Sequence, residues 1–178
     1  MDEFVAFLSR VEALVPPFGN LVVAFCFVAG IVFVIRGVLL AGRAGEGFDS
    51  LGRGGMWKVL GHFVIGALLI AVPGTIETSV ATLFGSPEIQ EPSMIFAYAP
   101  EMLEPASTEA ARRIIVSLLY VVQFIGLVGL VRGLFLLNQS TTHPGQGLVG
   151  RGATHLIGGA LAMNIVVFVG MLENVVIG

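Results

Sequence analysis

Residues 62–68 read HFVIGAL, and residues 155–161 read HLIGGAL. In both, a histidine stands four residues before a glycine, and Ala-Leu follows inside an apolar run. Residues four apart share a helix face, so the spacing sets an imidazole one turn from a position with no side chain. The 178-residue chain around these stretches is 56% apolar and 12% charged, where a soluble protein carries about 25% charged residues. Too few polar side chains remain to cover a water-facing surface. The bilayer is the expected solvent.

Working outward, the repetition widens. GIVFVIRG (30–37) matches GLVGLVRG (126–133), and GRGG (52–55) matches GRGA (150–153). His62 and His155 lie 93 residues apart, and Gly85 and Gly178 keep that separation. The order predicts a tandem duplication of one unit: apolar span, basic Gly-rich hairpin, apolar span. Two crossings per unit give parallel copies, related by an axis along the membrane normal.

Four runs could span a bilayer. Residues 18–35, 59–76 and 114–131 each give 18 residues without Asp, Glu, Lys or Arg, and 152–172 gives 21. At 1.5 Å per residue, 18 residues reach roughly 27 Å, close to a hydrocarbon core of about 30 Å. Arg36 and Arg132 can snorkel at the span ends. The expected fold is therefore all-α and membrane-embedded, with four transmembrane helices in two tandem hairpins. Its divisions fall at 1–17, 18–85, 86–113 and 114–178. Residues 3–14 put Phe4, Phe7, Leu8, Val11 and Leu14 on one side, as in an amphipathic helix lying in the interface, stopped by Pro16-Pro17. The 86–113 link is acidic and cut by four prolines into short pieces, as a docking surface would be. Ser107 or Thr108 can cap the third span. Pro73-Gly74 should kink the second.

Charge orients the spans. Arg36, Arg43, Arg53, Lys58, Arg132 and Arg151 lie in or beside the two hairpins, whereas ten of the twelve acids lie elsewhere. The positive-inside rule then puts both hairpins in the cytoplasm. Both termini and the link face the other side, the periplasm of a Gram-negative cell. The N-terminal MDEF is acidic, unlike a basic secretory leader. Cys26 has no second cysteine to pair with. The net charge of −3 gives no reason to expect sequence-specific nucleic-acid binding.

Candidate site residues follow from these patterns. Arg43, Arg53, Lys58 and Arg151 are placed to meet lipid headgroups or a charged lumen. Gly30, Gly66, Gly129, Gly133, Gly158 and Gly159 are small positions that let helices approach closely, since membrane helices gain by backbone contact rather than by hydrophobic exclusion. His62 and His155 mark the cytoplasmic entries of their spans, and Asn164 should face protein. A proton relay or metal pair is the competing reading of the histidines, but neither has an acid or thiol on its own face. Glu77 and Glu173 should reach the interface at the outer ends. His143 reads as a loop residue. No Ser/His/Asp grouping, zinc spacing or phosphate-loop pattern occurs. The reading is non-enzymatic and without cofactor, bound phospholipid excepted.

The paired hairpins with Arg-Gly before the bend, and GRGATHLIGGALAMNI (150–165) in the last span, resemble a known family. It comprises the IcmC/DotE-like inner-membrane proteins of type IVB secretion and their relatives in IncI-type conjugation. The resemblance covers roughly 18–178. It implies a bacterial inner-membrane subunit of a machine that moves protein or DNA, partnered by lipid, by copies of itself and by other subunits. Each unit is also similar to a conjugative pilin, which implies a lumen-lining role and, in that case, an extracellular pilus. The alternative class is an oligomeric small-solute transporter or channel, which should carry charges near mid-span; these spans carry none.

Overall fold

The computed structural model describes residues 2–44, 55–103, 108–143 and 145–177. Every regular element among them is helical: α1 (Asp2–Ala44), α2 (Gly55–Ile70), α3 (Val72–Phe84), a 3₁₀ turn (Pro92–Met94), α4 (Ile95–Tyr98), α5 (Pro100–Leu103), α6 (Glu109–Thr142), α7 (Leu148–Met163) and α8 (Ile165–Val176). Two of them, α1 over Ala6–Arg43 and α6 over Glu109–Thr142, are long and apolar enough to cross a membrane. The number rises to four if α2 with α3, and α7 with α8, each count as one span.

Those pairs differ from the spans expected at 59–76, with a kink at Pro73-Gly74, and at 152–172, with none. The first bends by 93° and the second by 86°. With 16 residues each, α2 and α7 reach roughly 24 Å, short of a full crossing. The breaks, at Ala71 and Asn164, lie 93 residues apart, the separation of the two histidines. Helix α2 maps onto α7 at both ends with that same offset.

The two breaks have different causes. In the first, Pro73 sits just past the bend, as its helix-breaking chemistry predicted. It offers no N–H to the preceding turn, and across the corner Thr75 Oγ1 donates to the Leu68 carbonyl at 2.8 Å. The second has neither proline nor glycine at the corner. Asn164 leaves helical geometry (φ −111°, ψ 43°) and makes no cap to its own helix.

A second difference lies at the N-terminus. Pro16 and Pro17 do not stop the first helix, because α1 runs through both. Proline's φ fits a helix, and its cost is the lost donor and a ring clash. Anchors on either side offset that cost. Glu12 accepts a 2.8 Å hydrogen bond from the buried Ser117 hydroxyl, Leu8 is buried, and Phe18 meets Phe124 edge-on at 6.4 Å.

The described chain divides into two compact units. One comprises residues 1–20, 77–128 and 159–178, and the other 21–76 and 129–158. The second is organised by an aromatic run: Phe25 stacks on Phe135 at 6.1 Å, Phe135 meets Phe33 at 5.4 Å, and Phe33 meets the His62 ring at 5.9 Å. Phe25 and Phe33 are eight residues apart, which keeps them on one side of α1.

Candidate functional site

Close helix contacts are made by glycines where α1 meets α2 and where α6 meets α7. A methyl at Gly30 would lie 2.7 Å from the Gly66 carbonyl oxygen and 2.8 Å from the Ile70 nitrogen. A methyl at Gly126 would lie 2.8 Å from the Gly159 carbonyl oxygen and 2.7 Å from the Met163 nitrogen. Gly66 corresponds to Gly159 and Ile70 to Met163 at the 93-residue offset, so the two hairpins close on matching atoms. In the second hairpin, a methyl at Gly133 would also lie 2.9 Å from the Gly152 carbonyl oxygen and from the Leu156 nitrogen. Of the other expected packing positions, Gly159 is buried and Gly129 half-buried. Gly158 departs from expectation: it is exposed, with nothing among the described residues within 4 Å of an added methyl. It lies on the outward side of α7, where the 3.6-residue period must put the neighbour of an inward-facing Gly159.

Both histidines make the same bond. His62 Nδ1 lies 2.7 Å from the Lys58 carbonyl and His155 Nδ1 lies 2.8 Å from the Arg151 carbonyl, each one turn back. A carbonyl can only accept, so Nδ1 carries the proton and Nε2 is the remaining polar ring atom. His62 is buried and His155 half-buried. His62 joins Arg36, Leu39, Leu40 and Arg43 around a cavity of about 210 Å³. Arg36, Arg43 and Arg151 are exposed and Lys58 is half-buried; Arg53 lies outside the described residues. His143 is exposed at the end of α6, beside the Thr142 hydroxyl at 2.9 Å. Gly145 and Gly147 follow at φ of 92° and 65°, left-handed values that glycine adopts without a Cβ clash.

The opposite corner of α7 is a polar clamp. Asn164 is 1% exposed. Its Oδ1 accepts the Gln90 N–H at 3.2 Å and its Nδ2 donates to the Glu88 carbonyl at 3.2 Å. Gln123 Nε2 donates to the Gln90 carbonyl at 2.8 Å. Asn164, expected to face protein, does so, and together with Gln123 it grips the 86–103 part of the link. Its prolines divide that part into the 3₁₀ turn, α4 and α5, and Tyr98 packs on Gly170, whose added methyl would meet the Tyr98 carbonyl oxygen at 2.9 Å. Thr108 caps α6, accepting the Ala111 N–H at 3.3 Å; Ser107 lies outside the described residues.

Glu173 corrects the expectation that it reaches the interface. Only 8% exposed, it accepts the Glu101 N–H through Oε1 at 3.0 Å, while Oε2 is buried without a partner among the described residues. The link covers it, which its place near the chain's end gave no reason to expect. Glu77, by contrast, is exposed as expected. An ionised carboxylate with one buried, unpaired oxygen is costly. Glu173→Gln keeps an acceptor for Glu101 and removes the charge, so it is expected to leave the thermal midpoint unchanged or raise it. A fall of several degrees in detergent would assign the missing partner to a neighbouring molecule.

A wider cleft of about 950 Å³ lies between the first turns of α1 and of α6, lined by Ser9, Glu12, Glu109 and Arg112 among others. The Arg112 guanidinium stands 4.5 Å over the Phe96 ring, and Arg113 pairs with Glu109 at 3.2 Å. Among the described residues, no three His, Cys, Asp or Glu side chains gather to hold a metal ion. No family model, curated protein or solved structure matches the chain.

Proposed function

We propose that this chain is an integral subunit of a type IVB-like conjugation or secretion apparatus in a bacterial inner membrane, acting by assembly rather than catalysis. One observation carries the assembly part. Both hairpins already close on their own glycines, yet α1 still exposes Leu21 at 65%, Val28 at 60% and Leu39 at 61%. Apolar faces on this scale need lipid or another protein surface. The hairpin order and the GRGATHLIGGALAMNI stretch supply the family resemblance. The basic hairpins would face the cytoplasm and both termini the periplasm, with the residues before Pro16 at the bilayer surface. Pilin-like and channel-forming subunits both fit this arrangement.

Gly158 supplies the test, since among the described residues nothing packs against it. Gly158→Leu is expected to reduce the particle mass of the detergent-solubilised complex and the transfer efficiency together, at equal membrane abundance and unchanged thermal midpoint. A full-size complex with undiminished transfer would remove the assembly role from this face. The alternative is an oligomeric small-solute transporter or channel, favoured by the broken helices and by the Asn164–Gln123 cluster beside one break. Transporters build ion and substrate sites from discontinuous helices. Solute flux into vesicles containing only this protein would decide for it.

A further inference from the structure

The cleft between the first turns of α1 and α6 holds two pairs of opposite charges, and only one pair is joined. The helices run parallel there, since Glu12 meets Ser117 and, further along both, Phe18 meets Phe124. Arg113 and Glu109 cancel one another in their 3.2 Å ion pair. Arg112 and Glu12 stay apart, each held by a neutral partner. The Phe96 ring lies 4.5 Å from the Arg112 guanidinium, a contact through the ring face that supplies no lone pair to the N–H fork. That fork meets no acceptor among the described residues. Glu12 Oε2 accepts the buried Ser117 hydroxyl at 2.8 Å, and Oε1 meets no donor among the described residues.

We propose that this cleft binds a short zwitterionic peptide, its carboxylate on Arg112 and its ammonium on Glu12. Three observations converge on that occupant. First, a plain anion would meet the Glu12 carboxylate and a plain cation the Arg112 guanidinium, whereas a molecule with both charges satisfies both. The planar fork of Arg112 matches a carboxylate in bidentate fashion. Second, the cleft of about 950 Å³ lies near the top of the 300–1,000 Å³ range of small-molecule sites, more than a single amino acid fills. Leu8, Ile114 and Val116 supply apolar wall for its side chains. Third, Arg112 stands just before the uncharged run that begins at residue 114, so the cleft opens at the end of the span, within reach of a soluble ligand.

This site goes beyond the assembly reading and stands without it, because the purified chain can be tested alone. The full-length protein in detergent is titrated by calorimetry with trialanine, with its N-acetyl form and with its C-terminal amide. Trialanine should bind saturably, one per chain, and each cap should weaken binding about tenfold, the factor for one charge-assisted hydrogen bond. Arg112→Gln should cost trialanine the same factor yet leave the affinity for the amide form unchanged, since that form already lacks the carboxylate. Glu12→Gln should spare the N-acetyl form likewise, and it keeps an acceptor for Ser117. Arg10→Gln, an equal charge change at an exposed position outside the cleft lining, should bind as the wild type does. Thermal midpoints check folding, and if a variant lowers its midpoint, the capped peptides on the wild type still decide. The site is overturned if no saturable binding occurs, if the capped forms bind as tightly as the free peptide, or if Arg10→Gln loses as much as Arg112→Gln.

Discussion

Gly126→Ala is expected to lower the thermal midpoint in detergent by about 5–10 °C, and Gly126→Leu to prevent accumulation in the membrane. The added methyl would meet three backbone atoms at 2.7–3.0 Å, those of Met163, Gly159 and Ala162. No rotamer change can relieve a clash with backbone, so α6 and α7 must separate. Overpacking typically costs about 1–3 kcal/mol, and in chains of this size 1 kcal/mol shifts the midpoint by about 2–4 °C. Gly30→Ala should behave alike, because it meets the Gly66 oxygen and Ile70 in the same register. Fluorescence-detected thermal unfolding of each variant is the measurement. An unshifted midpoint for both would mean that the hairpins do not close on these glycines.

Asn164→Leu should have an effect of similar size by a different route. It removes the partners of the Gln90 N–H and the Glu88 carbonyl while adding apolar bulk at a buried corner. A buried polar group left unpaired costs about 1–3 kcal/mol, so the link should detach before α7 unfolds. Limited proteolysis between residues 86 and 103 reads this directly, with cleavage expected to accelerate at temperatures where the wild type resists. Asn164→Asp should fall between, because a carboxylate still accepts from Gln90 but cannot donate to Glu88. Equal protease resistance of wild type and Asn164→Leu would contradict the clamp.

These residues also mark how far the sequence could be read. Apolar runs report membrane compatibility directly, since hydropathy is a sum over neighbours in the chain. The bend at Pro73 was legible because a missing N–H is a property of the residue itself. The bend at Asn164 was not. Its cause lies in hydrogen bonds to residues 74 and 76 positions away, and no local pattern distinguishes such an asparagine from one facing a neighbouring helix. Glu173 was misplaced for the same reason, since its cover comes from the link. Pro16-Pro17 failed in the opposite sense. A sound local rule was outweighed by Ser117 and Phe124, more than a hundred residues away in sequence. Among the candidate site residues, the buried glycines followed from small-residue spacing. Spacing alone could not say which of Gly158 and Gly159 faces inward, because adjacent glycines offer helical periodicity two phases. The Arg36–Arg43–His62 grouping needed the pairing of α1 with α2, although its seven-residue arginine spacing was visible beforehand.

The two corners share a position in the repeat but not a permanence. One is covalent: Pro73 has no amide hydrogen under any condition, so the first corner is a welded joint. The other is held by two reversible hydrogen bonds from one side chain to the link, which makes it a latch. Released, nothing in residues 148–176 forbids a single straight rod, since that stretch contains no proline. Such a rod would be roughly 43 Å long at 1.5 Å per residue, enough to cross the hydrocarbon core that α7 alone falls short of. The chain thus pairs a corner set by a residue's own chemistry with one set by contacts to residues 88 and 90.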